Sequence, residues 1–317
     1  MLKAYVLDGK KLIRKSSDER VADALWIDLF MPTEVEVQAV TALGIDVPSL
    51  SDMEEIEISN RLYHEDGAEY LTVVLPGIDF NKEQISAPIC FVLQPERLVT
   101  IRHHTPLPFE TYPARAEKAQ AGCGTPVQAF AGLTEEMIGR LADHLEKSGA
   151  EMDKIGGAAF AHNSQILPQA DLQSALTRLG GEGERLSRVR LGLLTMGRAL
   201  NHFAQSAKSD KKTADSVKVQ LRDIDALQVH ADFLSNRMAL ASDMLLGMIN
   251  LRQNSTARTA SMVAVLFLPP TLIASTYGMN FKLMPELEQP WGYPGALVAM
   301  AASALIVWGI FRWKGWL

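Results

Sequence analysis

Over the first hundred residues, apolar side chains come in short alternating or clustered runs that are each broken by turn formers. Runs at 4–7, 12–14, 25–30, 57–63, 69–75, 85–93 and 98–101 read as strands, separated by Asp8-Gly9, Asp66-Gly67 and Pro76-Gly77 among others. One helix interrupts them, because Thr33 followed three residues later by Glu36 is a capping box ahead of Val37, Val40 and Leu43. After a break at 121–126 the period lengthens. Residues 127–163 and 169–207 carry apolar positions at helical spacing around an interruption at 163–168, which predicts an antiparallel helical pair. The glycines at 156–157, 180–181 and 183 weaken these helices locally and mark either hinges or close packing. From about residue 214 the pattern runs on through Leu221, Ile224, Leu227, Leu234, Met238, Leu245 and Ile249 without a breaker. A helix of some sixty residues is expected there, roughly 90 Å long, a stalk that ties the preceding domain to the C-terminal segment.

The C-terminal segment opens with a long uncharged run. Residues 259–281 carry no Asp, Glu, Lys or Arg, and about 20 such residues cross a bilayer core of roughly 30 Å. A second uncharged run extends from Gln289 up to Arg312, after a polar loop at 282–288. The pattern predicts a transmembrane hairpin. Arg252 and Arg258 precede it, Arg312 and Lys314 come after it, and the loop holds one Lys against Glu286 and Glu288, so both ends are expected in the cytoplasm. Trp291 and Tyr293 at one end of the second span and Trp308, Trp313 and Trp316 at the other fit interfacial belts. Pro269-Pro270 inside the first span predicts a kink.

One face of the first span is polar. Gly247, Asn250, Asn254, Ala257, Ser261, Ala264, Leu268, Thr271 and Ser275 succeed one another at alternating steps of three and four, and all but Leu268 are small or polar. Val263, Val265, Leu266, Phe267, Leu272 and Ile273 stand beside them. Two readings stand. The stripe lines water at the axis of an oligomer, or it packs small residues closely against another helix while its hydroxyls bond their own backbone. Asn254 and Asn280 weigh towards the first, since an amide is costly in lipid unless it meets a partner, water or an ion.

Composition narrows the function. The 317 residues suffice for two or more domains. Residues 255–317 hold four basic and two acidic side chains, which leaves 27 of the 31 basic and 35 of the 37 acidic groups in the rest. That net-negative part disfavours nucleic acid and is compatible with attracting divalent cations or simply with solubility. Cys90 and Cys123 offer no disulfide framework and fit a reducing compartment. The first residues lack the long apolar core of a cleaved signal peptide. No glycine-rich phosphate loop, nucleophile elbow or hydrolytic site is visible, so an enzyme is not expected. His103-His104 is a poor metal pair, because strand neighbours point to opposite faces, and His144, His162 and His202 are assigned no chemistry.

The run Phe267-Leu-Pro-Pro-Thr-Leu, then Tyr277-Gly-Met-Asn-Phe, Met284-Pro-Glu-Leu287, Gly292-Tyr-Pro-Gly295 and the terminal Trp316-Leu317 resembles the CorA magnesium transporter family, with Trp26-Ile-Asp-Leu29 near the start also similar. The resemblance implies a homopentamer whose Gly-Met-Asn forms the outer selectivity site, here Gly278, Met279 and Asn280. Mg²⁺ is small and gives up its waters reluctantly. A ring of Asn280 amides wide enough to bond the hydrated ion would select it and let it leave. Gly278 would let the backbone leave the helix, with Met279 packed behind. Asn254, Ala257, Ser261, Ala264, Leu268, Thr271 and Ser275 are the expected pore lining, Leu268 being the candidate constriction that closes by dewetting. Glu286 and Glu288 either concentrate cations at the entrance or are solvated loop charges. The family tends to place bulky apolar residues near the cytoplasmic face where this chain has Ala257 and Ala260, which leaves the gate's position open. The resemblance also implies closure by intracellular Mg²⁺ bound between cytoplasmic domains. Candidates are Asp215, Asp223, Asp225 and Asp232 on the stalk, with Glu54, Glu55 and Glu57 on the α/β domain.

The expected architecture is an α/β cytoplasmic domain (1–122), an antiparallel helical pair (123–210), a long stalk helix continuing into the first span (211–281), an external loop (282–288), and a second span with a basic cytoplasmic end (289–317). The expected function is homopentameric Mg²⁺ uptake across a bacterial inner (plasma) membrane, down the electrochemical gradient, with Co²⁺ and Ni²⁺ as side cargo. Partners are other copies of the chain, the lipid bilayer and divalent cations; no cofactor serves as a catalyst, Mg²⁺ being substrate and regulatory ligand. The alternatives are a Zn²⁺ transporter on the same scaffold, or a membrane-tethered sensor that transports nothing.

Overall fold

The computed structural model of the chain describes all residues except 16–17, 161–167, 207–209, 280–283, 286–288 and 317, and the side chains of all these except 18–20, 158–160 and 169 besides. It divides into two compact units, residues 1–167 with 174–242, and residues 168–173 with 243–317.

The first unit is built on one seven-stranded sheet. Strands β1 (Leu2–Asp8), β2 (Lys11–Lys15), β3 (Trp26–Phe30), β4 (Leu62–Glu65), β5 (Ala68–Ile78), β6 (Gln84–Leu93) and β7 (Leu98–Arg102) lie in the order β2-β1-β3-β7-β6-β5-β4. Every pair is antiparallel except β3 with β7. The period of two divides each strand between two cores. Ile27, Leu29, Cys90, Val92, Val99 and Ile101 join Val40 of α1 (Glu34–Thr41) and Met53 of α2 (Leu50–Glu54) in one cluster. On the opposite face, Trp26 stacks on Tyr5 and meets Phe109 and Tyr112 of α3 (Pro108–Arg115), and Phe91 meets Phe130 of α4 (Pro126–Phe160). Central strands covered on both faces explain why β7 is buried at every position.

Local signals set several boundaries. Both halves of the capping box at Thr33 and Glu36 form, and Glu36 also accepts from the backbone of Leu2 at 2.6 Å, tying helix to strand. Asp66 (φ 47°) and Gly67 (φ 77°) turn β4 into β5 with both central residues left-handed, the twist a two-residue hairpin needs. The run at 57–63 departs from expectation. Residues Ile58–Asn60 form a 3-10 turn and the strand starts only at Leu62. Ile56 and Ile58 are exposed, and Arg61 donates back to the carbonyls of Glu54 and Glu55, which curls the chain instead of extending it.

At the sheet's centre, on the α3 face, lies a buried ion pair. Arg102 Nε and Nη2 donate to the two carboxylate oxygens of Asp28, each at 2.9 Å, and Nη1 donates to the carbonyl of His104 at 2.8 Å. Thr100 donates to Asp28, the Trp26 indole donates to Thr100, and the Phe30 and Phe109 rings each have their centre 4.6 Å from the guanidinium. His104 itself is buried and donates from Nε2 to the carbonyl of Leu75 at 3.0 Å. Burial, outweighing that bond, holds its pKa down to about 4.

The helices form a three-helix bundle. Leu141 of α4 packs on Gly192 of α5 (Gln169–Ser206), and Glu151 pairs with Arg178, so these two run antiparallel as expected. The start of α6 (Lys211–Tyr277) completes the bundle. Gln220 donates to Ala131 and accepts from Thr134, and Arg237 pairs with Asp153, which places α6 parallel to α4. Gly183 of α5 lies against Met238, whose sulfur would sit 3.0 Å from a Cβ there, so at this glycine packing is the reason. Thr195 of α5 receives the Val74 N–H at 3.0 Å and so occupies the edge of β5 beyond the end of β4. The expected interruption at 163–168 and His162 fall, but for Pro168, outside the described residues.

Two stability measurements test this core. Asp28→Ala strands a buried guanidinium and lowers folding stability by about 3–5 kcal/mol, read from urea denaturation of the purified chain. Because the folded pKa of His104 lies below its ordinary 6.5, the folded state binds fewer protons. Its contribution is complete above that value and is lost as pH falls towards 4, by about 3 kcal/mol. The loss from pH 7 to pH 4 is smaller by that amount in His104→Gln, whose amide keeps the bond to Leu75.

Candidate ion-conduction path

In the second unit, the expected spans are the end of α6 and a further helix, α7 (Gly292–Trp313). Both are long and apolar enough to cross a membrane, with mean hydropathy of 1.5 and 1.9 over their best windows. Arg258 of α6 lies over the Trp316 ring beyond the end of α7, at 6.0 Å, so the two spans are antiparallel and their basic ends coincide. Helix α7 ends in a Schellman motif. Gly315 (φ 68°) donates to Arg312 and Trp316 donates to Phe311, at 3.2 and 2.9 Å, and the Trp316 ring stacks on Phe311. Trp316 thereby sits between Arg258 and Lys314, while Arg312 lies over Trp308.

Helix α6 shows which of its faces is covered. From 259 to 279 the partly buried residues are Met262, Leu266, Pro269, Pro270 and Ile273; the rest are exposed. At 100° per residue, the stripe Ser261, Ala264, Leu268, Thr271 and Ser275 lies about 160° round from that face. All five of these positions are exposed. Thr271 donates to the Phe267 carbonyl at 2.7 Å, as Thr256, Thr259 and Thr276 do to theirs four residues back, so the hydroxyl protons of these threonines are spent on the helix. Their oxygen lone pairs remain. Ser261, Ser275, Asn250 and Asn254 make no side-chain hydrogen bond among the described residues.

The helix passes through Pro269-Pro270 and ends at Tyr277. Gly278 donates to Ala274 at 2.9 Å and Met279 to Thr276 at 3.3 Å, a tightened last turn from which Met279 projects, exposed. Asn280, Glu286 and Glu288 lie outside the described residues. The acidic candidates on α6 are dispersed. Asp215 is near Lys218 at 3.9 Å, Asp232 pairs with Arg190 at 2.8 Å, and Asp223 lines a cleft with Glu135. Asp225 is exposed, as are Glu54, Glu55 and Glu57, and Glu55 binds Asn60 and Arg61. Among the described residues no group of three or more His, Cys, Asp or Glu converges to hold a metal.

A second seam runs along α6. Phe233 and Leu240 are 57% and 66% exposed, and they precede Gly247 by successive steps of seven. The same step then reaches Asn254, Ser261, Leu268 and Ser275. The apolar face of α6 that packs into the bundle, through Ile224 and Leu234, masks this seam in the sequence.

A sequence model of the family described as CorA-like Mg2+ transporter protein matches residues 21–312. The magnesium transport protein CorA of Yersinia pseudotuberculosis is 30% identical over 324 residues, covering both chains fully. The complete structure of the CorA magnesium transporter from Methanocaldococcus jannaschii superposes with a TM-score of 0.74 at 17% identity, over 100% of this chain and 99% of that one. The ZntB cytoplasmic domain from Vibrio parahaemolyticus gives 0.54 at 11% identity, over 77% of this chain and 96% of that one.

Cysteine scanning tests which face of α6 is wet. The native thiols form a silent background, since both are buried and burial pushes Cys90 up to about 12 and raises Cys123. In membranes, single cysteines at Asn254, Ser261, Thr271 and Ser275 react with a hydrophilic thiosulfonate at least ten times faster than at Val263, Val265 or Phe267. Equal rates on all faces would remove the wet stripe.

Proposed function

Since the chain belongs to the CorA-like Mg²⁺ transporter family, we propose that it conducts Mg²⁺ into the cytoplasm as a homopentamer, along an axis lined by the α6 stripe. The observation that carries this is the stripe's position. Polar and small residues occupy the face turned away from the covered side of the span, and a second helix of the same chain leaves them unpartnered. Copies related by a rotation axis would bring their stripes together and enclose water.

The chemistry suits a hydrated divalent ion. From 259 to 281 the path carries no formal charge. Selection therefore falls to amide and hydroxyl oxygens, hard ligands that Mg²⁺ prefers. Asn280 follows the last turn of α6 in the sequence, after Gly278 and Met279. A ring of five such amides bonds the ion's waters rather than stripping them, so the ion enters and leaves. Thr271 and Asn254 form further oxygen rings. Leu268 is the one bulky apolar position and closes the path by dewetting, with small Ala257 and Ala260 leaving the cytoplasmic end open. Glu286 and Glu288 draw cations to the entrance. A potential of 100 mV supplies about 2.3 kcal/mol per elementary charge, about twice that for a divalent ion, so no nucleotide hydrolysis is required.

The protein sits in the bacterial inner membrane with its sheet domain and both ends cytoplasmic, and Co²⁺ and Ni²⁺ pass as weaker cargo. Intracellular Mg²⁺ closes the path by bridging subunits. Of the acidic candidates Asp223 and Asp225 are favoured for this, because Asp215 and Asp232 already face basic side chains of their own chain.

Flux into liposomes holding only the purified protein is the test, read by an internal Mg²⁺ dye, with Zn²⁺ and pH dyes in parallel. An imposed inside-negative potential drives Mg²⁺ entry, Asn280→Ala lowers it at least tenfold, and Leu268→Ser raises flux at high internal Mg²⁺. Proton-linked Zn²⁺ entry in place of Mg²⁺ would reassign the cargo; no entry of any ion in tight vesicles would leave a tethered sensor.

A further inference from the structure

The sheet domain carries a cleft that the conduction path does not use. It measures about 380 Å³ and opens where the end of β5, the start of β6 and the start of α3 meet α4 and α5. Three arginines line it, Arg140 from α4 and Arg185 and Arg188 from α5, each side chain a third exposed or less. Each is anchored by a carboxylate on its own helix, Asp143, Glu182 and Glu184 respectively. Those bonds use Nη1 of Arg140 and Arg185 and Nε and Nη2 of Arg188. Nη2 of Arg140 and Arg185 and Nη1 of Arg188 have no acceptor among the described residues. Forked donors fixed in place but unfilled are what recognises a phosphate.

His144 lines the same wall. Its pKa is held down by burial first and then by Arg140, Lys147 and Arg185, against the opposing charge of Asp143. Positive charge thus reaches His144 from α4 and α5, with each guanidinium partly balanced by the carboxylate that anchors it.

The rest of the cleft is of another kind. Ile78, Leu107 and Val189 give it an apolar wall, and Asp79 and Glu110 stand on it as acceptors. Ile78 and Leu107 remain 48% and 42% exposed, unfilled by any side chain of the chain itself. A bare inorganic anion has no use for that half, and an apolar ligand none for the arginines.

We propose that this cleft binds a nucleotide, its phosphate held by Arg140, Arg185 and Arg188, its base against Ile78 and Leu107, and its hydroxyl or amino groups donating to Asp79 and Glu110. The site lies wholly within the first unit and stands or falls apart from the transport reading. It gives the cytoplasmic domain a ligand chemically distinct from the transported cation.

The test is equilibrium dialysis of the full-length protein in detergent, with chelator and no divalent cation, against radiolabelled AMP. Saturable binding of one AMP per chain is expected, with adenosine and inorganic phosphate each competing at least ten times more weakly. The Arg140→Gln, Arg185→Gln double variant and Ile78→Trp, which fills the cleft at a half-exposed position, each weaken AMP at least tenfold while unliganded melting temperature stays within a few degrees. If the double variant melts early, Ile78→Trp alone decides. No saturable AMP binding, or full binding in Ile78→Trp, overturns the proposal. Inorganic phosphate competing as well as AMP would overturn the nucleotide in favour of a plain anion site, and adenosine competing as well would remove the role of the arginines.

Discussion

A helix in lipid can present oxygen to water on one side only, and the rest of this molecule depends on that restriction. The backbone groups of α6 are spent inside the helix, so any polarity offered to an ion has to come from side chains along a stripe. One such stripe covers a small arc. The second span does not complete it, because the partly buried residues of α6, from Met262 to Ile273, lie on the other side of the helix. What remains is an exposed polar surface that, on the proposed reading, copies of the chain would close. The basic end of α7 is held to α6 by the folded-back Trp316 and the cations on that ring.

The sheet domain solves the opposite problem, that of charge in a dry place. Asp28 and Arg102 sit on the two central parallel strands with essentially no exposure. Such a pair is retained only when every remaining donor and acceptor is engaged. Here Thr100, Trp26 and the carbonyl of His104 supply the partners, and Phe30 and Phe109 keep water from the guanidinium. The network joins β3, β7 and α3 and fixes the register of the one parallel pairing, which no hairpin turn could set.

How much of this is legible in the chain depends on how local each cause is. The cap at Thr33 and Glu36 and the turn at Asp66-Gly67 involve residues at most three apart, and both are legible. The polar stripe is legible because its period is local too. At 57–63 the composition says strand, but Arg61 reaching back to Glu54 and Glu55 curls the chain, and a side chain's reach leaves no periodic trace. The Asp28–Arg102 pair spans 74 residues and is invisible apart from a charged residue within an apolar run. The exposed apolar positions of α6 are hidden for a different reason. Helix α6 carries two apolar seams, and the one through Ile224 and Leu234 dominates the sequence pattern. Phe233 and Leu240 belong to the other, which leads by steps of seven towards the polar stripe.

That continuity bears on how an uncharged path handles a doubly charged ion. A ring of carboxylates would bind Mg²⁺ strongly, because attraction between full charges in a low-dielectric slab is large and escape correspondingly slow. Amide and hydroxyl dipoles are weaker and are shared among several sites, which favours passage over capture. The same neutrality makes the path easy to shut. If copies of α6 bring Leu268 into a ring, only the packing of the helices would decide whether water persists there. Steps of seven lead from Phe233 to Ser275 along α6, a series that turns by about 20° per step on a straight helix and becomes a single seam only where copies of the helix supercoil. The residues that would pack copies of α6 together and those that would line the water are therefore successive members of one series. On the proposed reading, closure of such a path would require no charged gate.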